Sequence, residues 1–105
     1  MGPAQFDQVS VIKKSNVYFD GKCVSHTVLF ADGSKKTIGV ILPSTLTFNT
    51  GAPERMEIIS GECQVTRPGK ATEQFRSGQS FFVDGNSSFE IQALSVVDYV
   101  CHFEG

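Results

Sequence analysis

An all-β fold, one small antiparallel barrel or sandwich in a single domain, is what this sequence predicts, and three observations carry the prediction. Apolar residues recur with a period of two, and no segment beyond a few residues has the period of a helix. Short runs are punctuated by Gly, Pro, Asn and Asp roughly every eight to twelve residues, the spacing of turns in sandwiches and barrels. Two stretches, 51–65 and 78–91, read as hairpins. In each, an apolar run (Met56, Ile58 and Ile59; Phe81, Phe82 and Val83) meets a turn signal (Ser60-Gly61; Asp84-Gly85-Asn86), and alternation resumes at Cys63 and Val65 or at Phe89 and Ile91.

In chain order, residues 1–14 read as an arm with a loosely held start. Its Val9, Val11 and Ile12 can add a strand to a sheet edge of this chain or of a second copy. The domain proper spans 15–105. Tyr18 and Phe19 run into an Asp20-Gly21 turn; residues 23–30 alternate as a strand and stop at Asp32-Gly33. Residues 36–42 form a strand of β-branched residues interrupted by Gly39, a position that implies either a bulge or a close backbone approach. Pro43 and Ser44 turn the chain into residues 45–50, with Leu46 and Phe48 on one face and Thr45, Thr47 and Asn49 on the other. After the turn at Pro68-Gly69, residues 72–76 make a short strand. The last strand sets Val97, Tyr99, Cys101 and Phe103 against Val96, Asp98, Val100 and His102.

Composition narrows the function classes. A chain of 105 residues with 40% hydrophobic and 19% charged residues is globular and large enough for one core. The net charge is −2 and no basic cluster exceeds a pair (Lys13-Lys14, Lys35-Lys36), so the electrostatic footprint of a nucleic-acid binder is missing and a small metabolite is the better partner. No apolar run approaches the length of a bilayer span and the start lacks the build of a signal peptide, which reads as a soluble, cytoplasmic protein. Cys23, Cys63 and Cys101 match neither a disulfide framework nor a metal knuckle and read as small buried hydrophobes. His26, alone in its strand, reads as a structural residue, and His102 as a structural or exposed one.

The two hairpin-like stretches resemble the paired motifs of the cupin superfamily, whose fold is a jelly-roll β-barrel. The usual first motif sets two histidines and a glutamate before a glycine seven residues further on. Counting back from Gly61 puts Glu54 at the glutamate, but Phe48 and Thr50 stand at the histidines, and Phe89 stands at the histidine of the second motif. The resemblance therefore implies a cupin-like barrel without a metal site.

A closer resemblance covers 15–103 and is to the small cupin family of pyrimidine/purine nucleoside phosphorylases. It is carried by Asn16-Val17-Tyr18-Phe19-Asp20-Gly21-Lys22, Lys36-Thr37-Ile38-Gly39-Val40, Ala52-Pro53-Glu54-Arg55-Met56-Glu57-Ile58-Ile59-Ser60-Gly61 and Asp98-Tyr99-Val100-Cys101. The sequence departs from the family where Ser44, Thr45 and Leu46 replace the usual Gly-Glu-Tyr, and at Asp84, where a proline is usual. The resemblance implies phosphorolysis of purine and pyrimidine nucleosides to free base and ribose 1-phosphate, as in nucleoside salvage, with no cofactor. The other readings are a metal-free cupin that binds a metabolite without turning it over, and a structural or interaction barrel.

Such a reaction needs a held phosphate and a shelf for the leaving base. The cupin count and strand alternation then predict a pocket lined by Phe48, Thr50, Met56, Phe89, Tyr99 and Cys101, with Glu54 and Arg55 near its mouth and Glu54 as the catalytic candidate. Tyr99 and Cys101 belong to it if their side of the last strand meets the interior. Apolar residues on both faces of strands, such as Ile58 with Ile59 and Phe81 with Phe82, predict a homodimer.

Overall fold

Period-two alternation becomes two facing antiparallel sheets in a computed structural model that describes residues 4–103; of the loose start expected over residues 1–8, Met1, Gly2 and Pro3 lie outside the described residues. The strands are β1 (Ser10–Val11), β2 (Asn16–Tyr18), β3 (Cys23–Leu29), β4 (Lys35–Ile41), β5 (Ser44–Asn49), β6 (Glu54–Ser60), β7 (Glu62–Thr66), β8 (Glu73–Arg76), β9 (Ser80–Val83), β10 (Ser88–Ala93) and β11 (Val97–Phe103). The larger sheet runs β1-β3-β4-β11-β6-β9, with β2 also paired to β3, and the smaller runs β5-β10-β7-β8. This is the two-sheet, jelly-roll form of a barrel.

The two stretches read as hairpins are not hairpins. β6 pairs with β11 and β9, whereas β7 pairs with β10 and β8, so the chain changes sheets at Gly61. Likewise β9 belongs to the larger sheet and β10 to the smaller one. Alternation survives the change of sheet because both strands still turn one face to the same core, so the pattern is identical for a hairpin and for a sheet crossing. Gly61 makes this corner possible: its φ is +91° and a Cβ there would collide with the Val96 carbonyl oxygen. True hairpins join β3 to β4 and β7 to β8. In the first, the Asp32 carboxylate accepts from the Ser34 backbone N–H (2.9 Å) and hydroxyl (2.6 Å).

The arm lies along its own chain. β1 and β2 follow one another down the free edge of β3, and the Ile12 N–H donates to the Thr27 carbonyl at 2.9 Å, which satisfies edge groups that would otherwise invite pairing with another chain.

Register sorts the larger sheet into an inner row set and an outer one. Cys23, Ser25, Ile41, Gly39, Thr37, Val97, Tyr99, Cys101, Ile58, Met56, Phe81 and Val83 face the smaller sheet, whose Leu46, Phe89, Ile91, Cys63 and Val65 complete the core. Ser44, Thr45 and Leu46, the departures from the family pattern, lie at the end of β5 away from Phe48: the Ser44 hydroxyl donates to the Leu42 carbonyl (2.7 Å), Thr45 is exposed and Leu46 is core.

Gly39 is the close approach rather than a bulge. It sits opposite Tyr99, and a Cβ at this position would lie 2.7 Å from the Val24 carbonyl oxygen and 2.8 Å from both Cζ and the hydroxyl of Tyr99. The bare Cα lets the tyrosine ring cross β4. Gly39→Ala is expected to lose about 1–3 kcal/mol of stability, the usual cost of forcing a group into packed space. Urea denaturation checks it, and Tyr99→Phe in the same chain should recover part of the loss by removing one of the colliding atoms.

Candidate functional site

A cavity of about 250 Å³ opens between the two sheets, lined by Tyr18, Ser25, Thr37, Phe48, Asn49, Gly51, Glu54, Met56, Phe89, Tyr99, Cys101 and Phe103. That is at the small end of ligand pockets, which run about 300–1,000 Å³, and suits a single small metabolite rather than a polymer. Its mouth is marked by the exposed residues Tyr18, Asn49, Gly51 and Phe103.

The two walls differ in chemistry because they come from different sheets. On the smaller sheet, Phe48 and Phe89 are paired across β5 and β10 and stack with ring centroids 5.5 Å apart; Tyr18 and Phe19 meet Phe48 edge-on at 6.0 and 5.3 Å. On the larger sheet, alternation brings Ser25, Thr37, Tyr99, Cys101 and Glu54 to the same side. The result is an aromatic shelf opposite a row of hydroxyl, thiol and carboxyl groups.

Those polar groups satisfy one another. The Tyr99 hydroxyl, carried over Gly39, meets the Cys23 thiol at 3.4 Å and hydrogen-bonds Ser25; burial lifts its pKa well above the ordinary tyrosine value, so it stays a neutral donor. Burial, followed by the neighbouring Glu54 charge, pushes the Cys101 thiol up to about 12, and its S–H donates to the Glu54 carboxylate while the Thr37 hydroxyl bonds the sulfur. Cys101 is thus a hydrogen-bond donor at neutral pH and no thiolate nucleophile. The Glu54 carboxyl is itself raised by burial, against the opposing Cys101 hydrogen bond. Among the described residues, no buried side-chain nitrogen or oxygen lacks a partner, and no three of His, Cys, Asp and Glu converge as metal ligands would.

Of the residues expected at the site, the fold gathers Phe48, Glu54, Met56, Phe89, Tyr99 and Cys101 into the cavity wall. Two lie elsewhere. Arg55 alternates to the opposite face of β6, across from His102 and Phe82, because its neighbour Glu54 occupies the inner face. Thr50 is buried, but its hydroxyl donates to the Asp84 carbonyl (2.6 Å) and accepts from the Ser87 N–H (2.9 Å), clamping the loop before β6 to the loop before β10. It holds the pocket wall without lining it. Sequence reasoning missed Tyr18, Ser25, Thr37, Asn49, Gly51 and Phe103. The signal for Ser25 and Thr37 was present: small polar residues at alternating positions beside Cys23 and Gly39.

His102 is buried on the outer face. Lys36 Nζ donates to its Nδ1 at 2.9 Å, so its Nε2–H donates to Glu57 Oε1 at 2.8 Å.

Residues 13–103 match the family model described as pyrimidine/purine nucleoside phosphorylase. The chain belongs to that family. Among relatives named pyrimidine/purine nucleoside phosphorylase, the protein of Acinetobacter baylyi is 64% identical over 108 residues and covers 100% of both chains, and that of Cupriavidus pinatubonensis is 62% identical over 104 residues, 98% of this chain and 99% of the relative. A crystal structure of a protein of unknown function from Acinetobacter sp. ADP1 superposes with a TM-score of 0.94 at 64% identity, covering 97% of this chain and 100% of the other. At 21% identity, ectoine synthase from P. lautus shares the fold alone, with a TM-score of 0.65 over 76% of this chain and 62% of that one.

The raised Glu54 carboxyl has a consequence for stability. The folded chain holds this proton more tightly than the unfolded chain. As pH rises past the ordinary carboxylate value of about 4.3, the unfolded state therefore ionises first, and stability falls until the folded group has ionised too. Glu54→Gln is expected to melt higher than the wild type at pH 7, with the difference closing below about pH 4. Thermal denaturation across that range checks the sign.

Proposed function

We propose that this chain cleaves purine and pyrimidine nucleosides with inorganic phosphate, giving the free base and ribose 1-phosphate, as a cytoplasmic salvage enzyme. The observation that carries the reading is the pairing of an aromatic shelf with a polar wall in one small cavity, in a chain of the nucleoside phosphorylase family. The base stacks on Phe48 and Phe89. Ser25, Thr37 and Tyr99 offer hydrogen bonds to the sugar and to the rim of the base. During cleavage the C1′–N bond breaks, its electron pair leaves with the base, which takes up a proton, and a phosphate oxygen bonds to C1′. Positive charge builds on the sugar on the way. Glu54 is the acidic group in the wall, and half-burial makes its charge count for more there than in water.

Incubation with uridine, cytidine, adenosine, guanosine and inosine, with and without phosphate, is expected to release base only with phosphate. Release equally fast without it would indicate a hydrolase, and none at high enzyme concentration a binder. Glu54→Gln is expected to lower kcat/KM tenfold or more, about 1.4 kcal/mol of transition-state stabilisation, while the protein stays folded.

We also propose a homodimer formed through the outer face of the larger sheet. Val17, Ile38 and Phe82 stand 59%, 37% and 45% exposed on that face, apolar side chains that a second copy would cover. Light scattering at micromolar concentration should give twice the monomer mass; a monomer mass overturns it.

A further inference from the structure

The cavity wall holds an acid, Glu54, and no base. On the phosphorolytic reading, on which this inference rests, an anionic nucleophile has to approach a sugar lying beside that carboxylate. Like charges in a half-buried site repel strongly, so the anion needs a countercharge within reach.

The strands of the larger sheet carry three cations: Lys35, Lys36 and Arg55. Lys36 and Arg55 alternate onto the outer face, where both pair across with His102, and the Lys36 ammonium is held by the His102 ring. Lys35 alternates inward with Thr37 and Gly39, and its Nζ lies 5.7 Å from the centroid of the Phe103 ring, a ring that lines the mouth. Glu54 is the direct partner of Phe103 on the other side. A row across the inner face thus reads Lys35, Phe103, Glu54. With two strand spacings between them, cation and carboxylate are rooted about 10 Å apart. Both side chains can reach one ligand at the mouth from opposite sides, without neutralising each other.

We infer that Lys35 is the residue that holds the phosphate, receiving it over the Phe103 ring, while Glu54 faces the sugar. The arrangement separates the two negative charges, because the phosphate is held on the β4 side of Phe103 and the Glu54 carboxylate stands on the β6 side, with the sugar C1′ between them in reach of a phosphate oxygen. An ammonium suits this role, since three donors on a flexible stem can follow the phosphate as it moves onto C1′. Its exposed position lets phosphate exchange with solvent between turnovers.

The test is Lys35→Gln beside Lys35→Arg, with Lys70→Gln, an exposed turn residue, as a control of equal net charge. Lys35→Gln is expected to raise the KM for phosphate tenfold or more, with the KM for nucleoside and the melting temperature unchanged. Lys35→Arg should restore the phosphate KM to within about threefold and Lys70→Gln should leave it alone. A phosphate KM unchanged in Lys35→Gln, or raised equally in Lys70→Gln, overturns the assignment. A titration of inorganic phosphate followed by 31P NMR, without nucleoside, separates this inference from the proposed reaction. If the wild type binds phosphate and Lys35→Gln binds it tenfold more weakly, the anion site stands even where no nucleoside is cleaved. If the wild type binds no phosphate, or both bind it alike, the site is wrong whatever the enzyme does.

Discussion

The pocket depends on one contact, the Tyr99 ring lying over the bare Cα of Gly39. Tyr99 sits on β11, between β4 and β6, and its hydroxyl reaches Cys23 and Ser25 on β3 only because nothing projects from Gly39 in between. A ring turned the other way would fill the space where Thr37, Cys101 and Glu54 now converge, and would leave a buried hydroxyl without a partner, at a cost of about 1–3 kcal/mol. The glycine that looks like a weak point in β4 is what makes the interior hollow.

Around that contact the fold keeps polar groups dry but satisfied. Tyr99 meets Cys23 and Ser25, Thr37 bonds the Cys101 sulfur and Cys101 donates to Glu54, so the cavity holds a carboxyl group without a buried ion pair. A metal-binding cupin would place histidines where Phe48 and Phe89 stand. Here an aromatic pair stands at those positions instead, with ring centroids 5.5 Å apart, and makes that wall of the cavity apolar. Thr50, at the third such position, has become a clamp between loops.

The same alternation that builds the cavity sorts neighbouring residues to different fates. Glu54 faces in and Arg55 out; Lys35 faces in and Lys36 out; Cys101 faces in and His102 out. Each of these adjacent pairs looks like a single charged or reactive feature when written as letters. In the sheet its members lie on opposite sides, with Glu54 and Cys101 in the cavity wall and Lys36 and His102 hydrogen-bonded in line with Glu57 on the outer face.

The amino-acid order by itself determined the all-β class, the strand positions and which residues of β11 share a face, because these follow from local alternation and turn chemistry, which each segment carries within a few residues. Through the resemblance to the two cupin motifs, it also placed Glu54 and Phe48 inside by the count from Gly61 and Phe89 by its place in the second motif. Only the tertiary structure decided that β6 and β7, or β9 and β10, belong to different sheets, since a strand that turns back on its neighbour and one that crosses the core show the same period of two. Which face of β11 meets the interior and the setting of Lys35 beside Phe103 were likewise out of reach. Each depends on a strand distant in sequence supplying the opposite side of the contact, and pairing between distant strands is chosen by how the whole core packs rather than by any one stretch of chain.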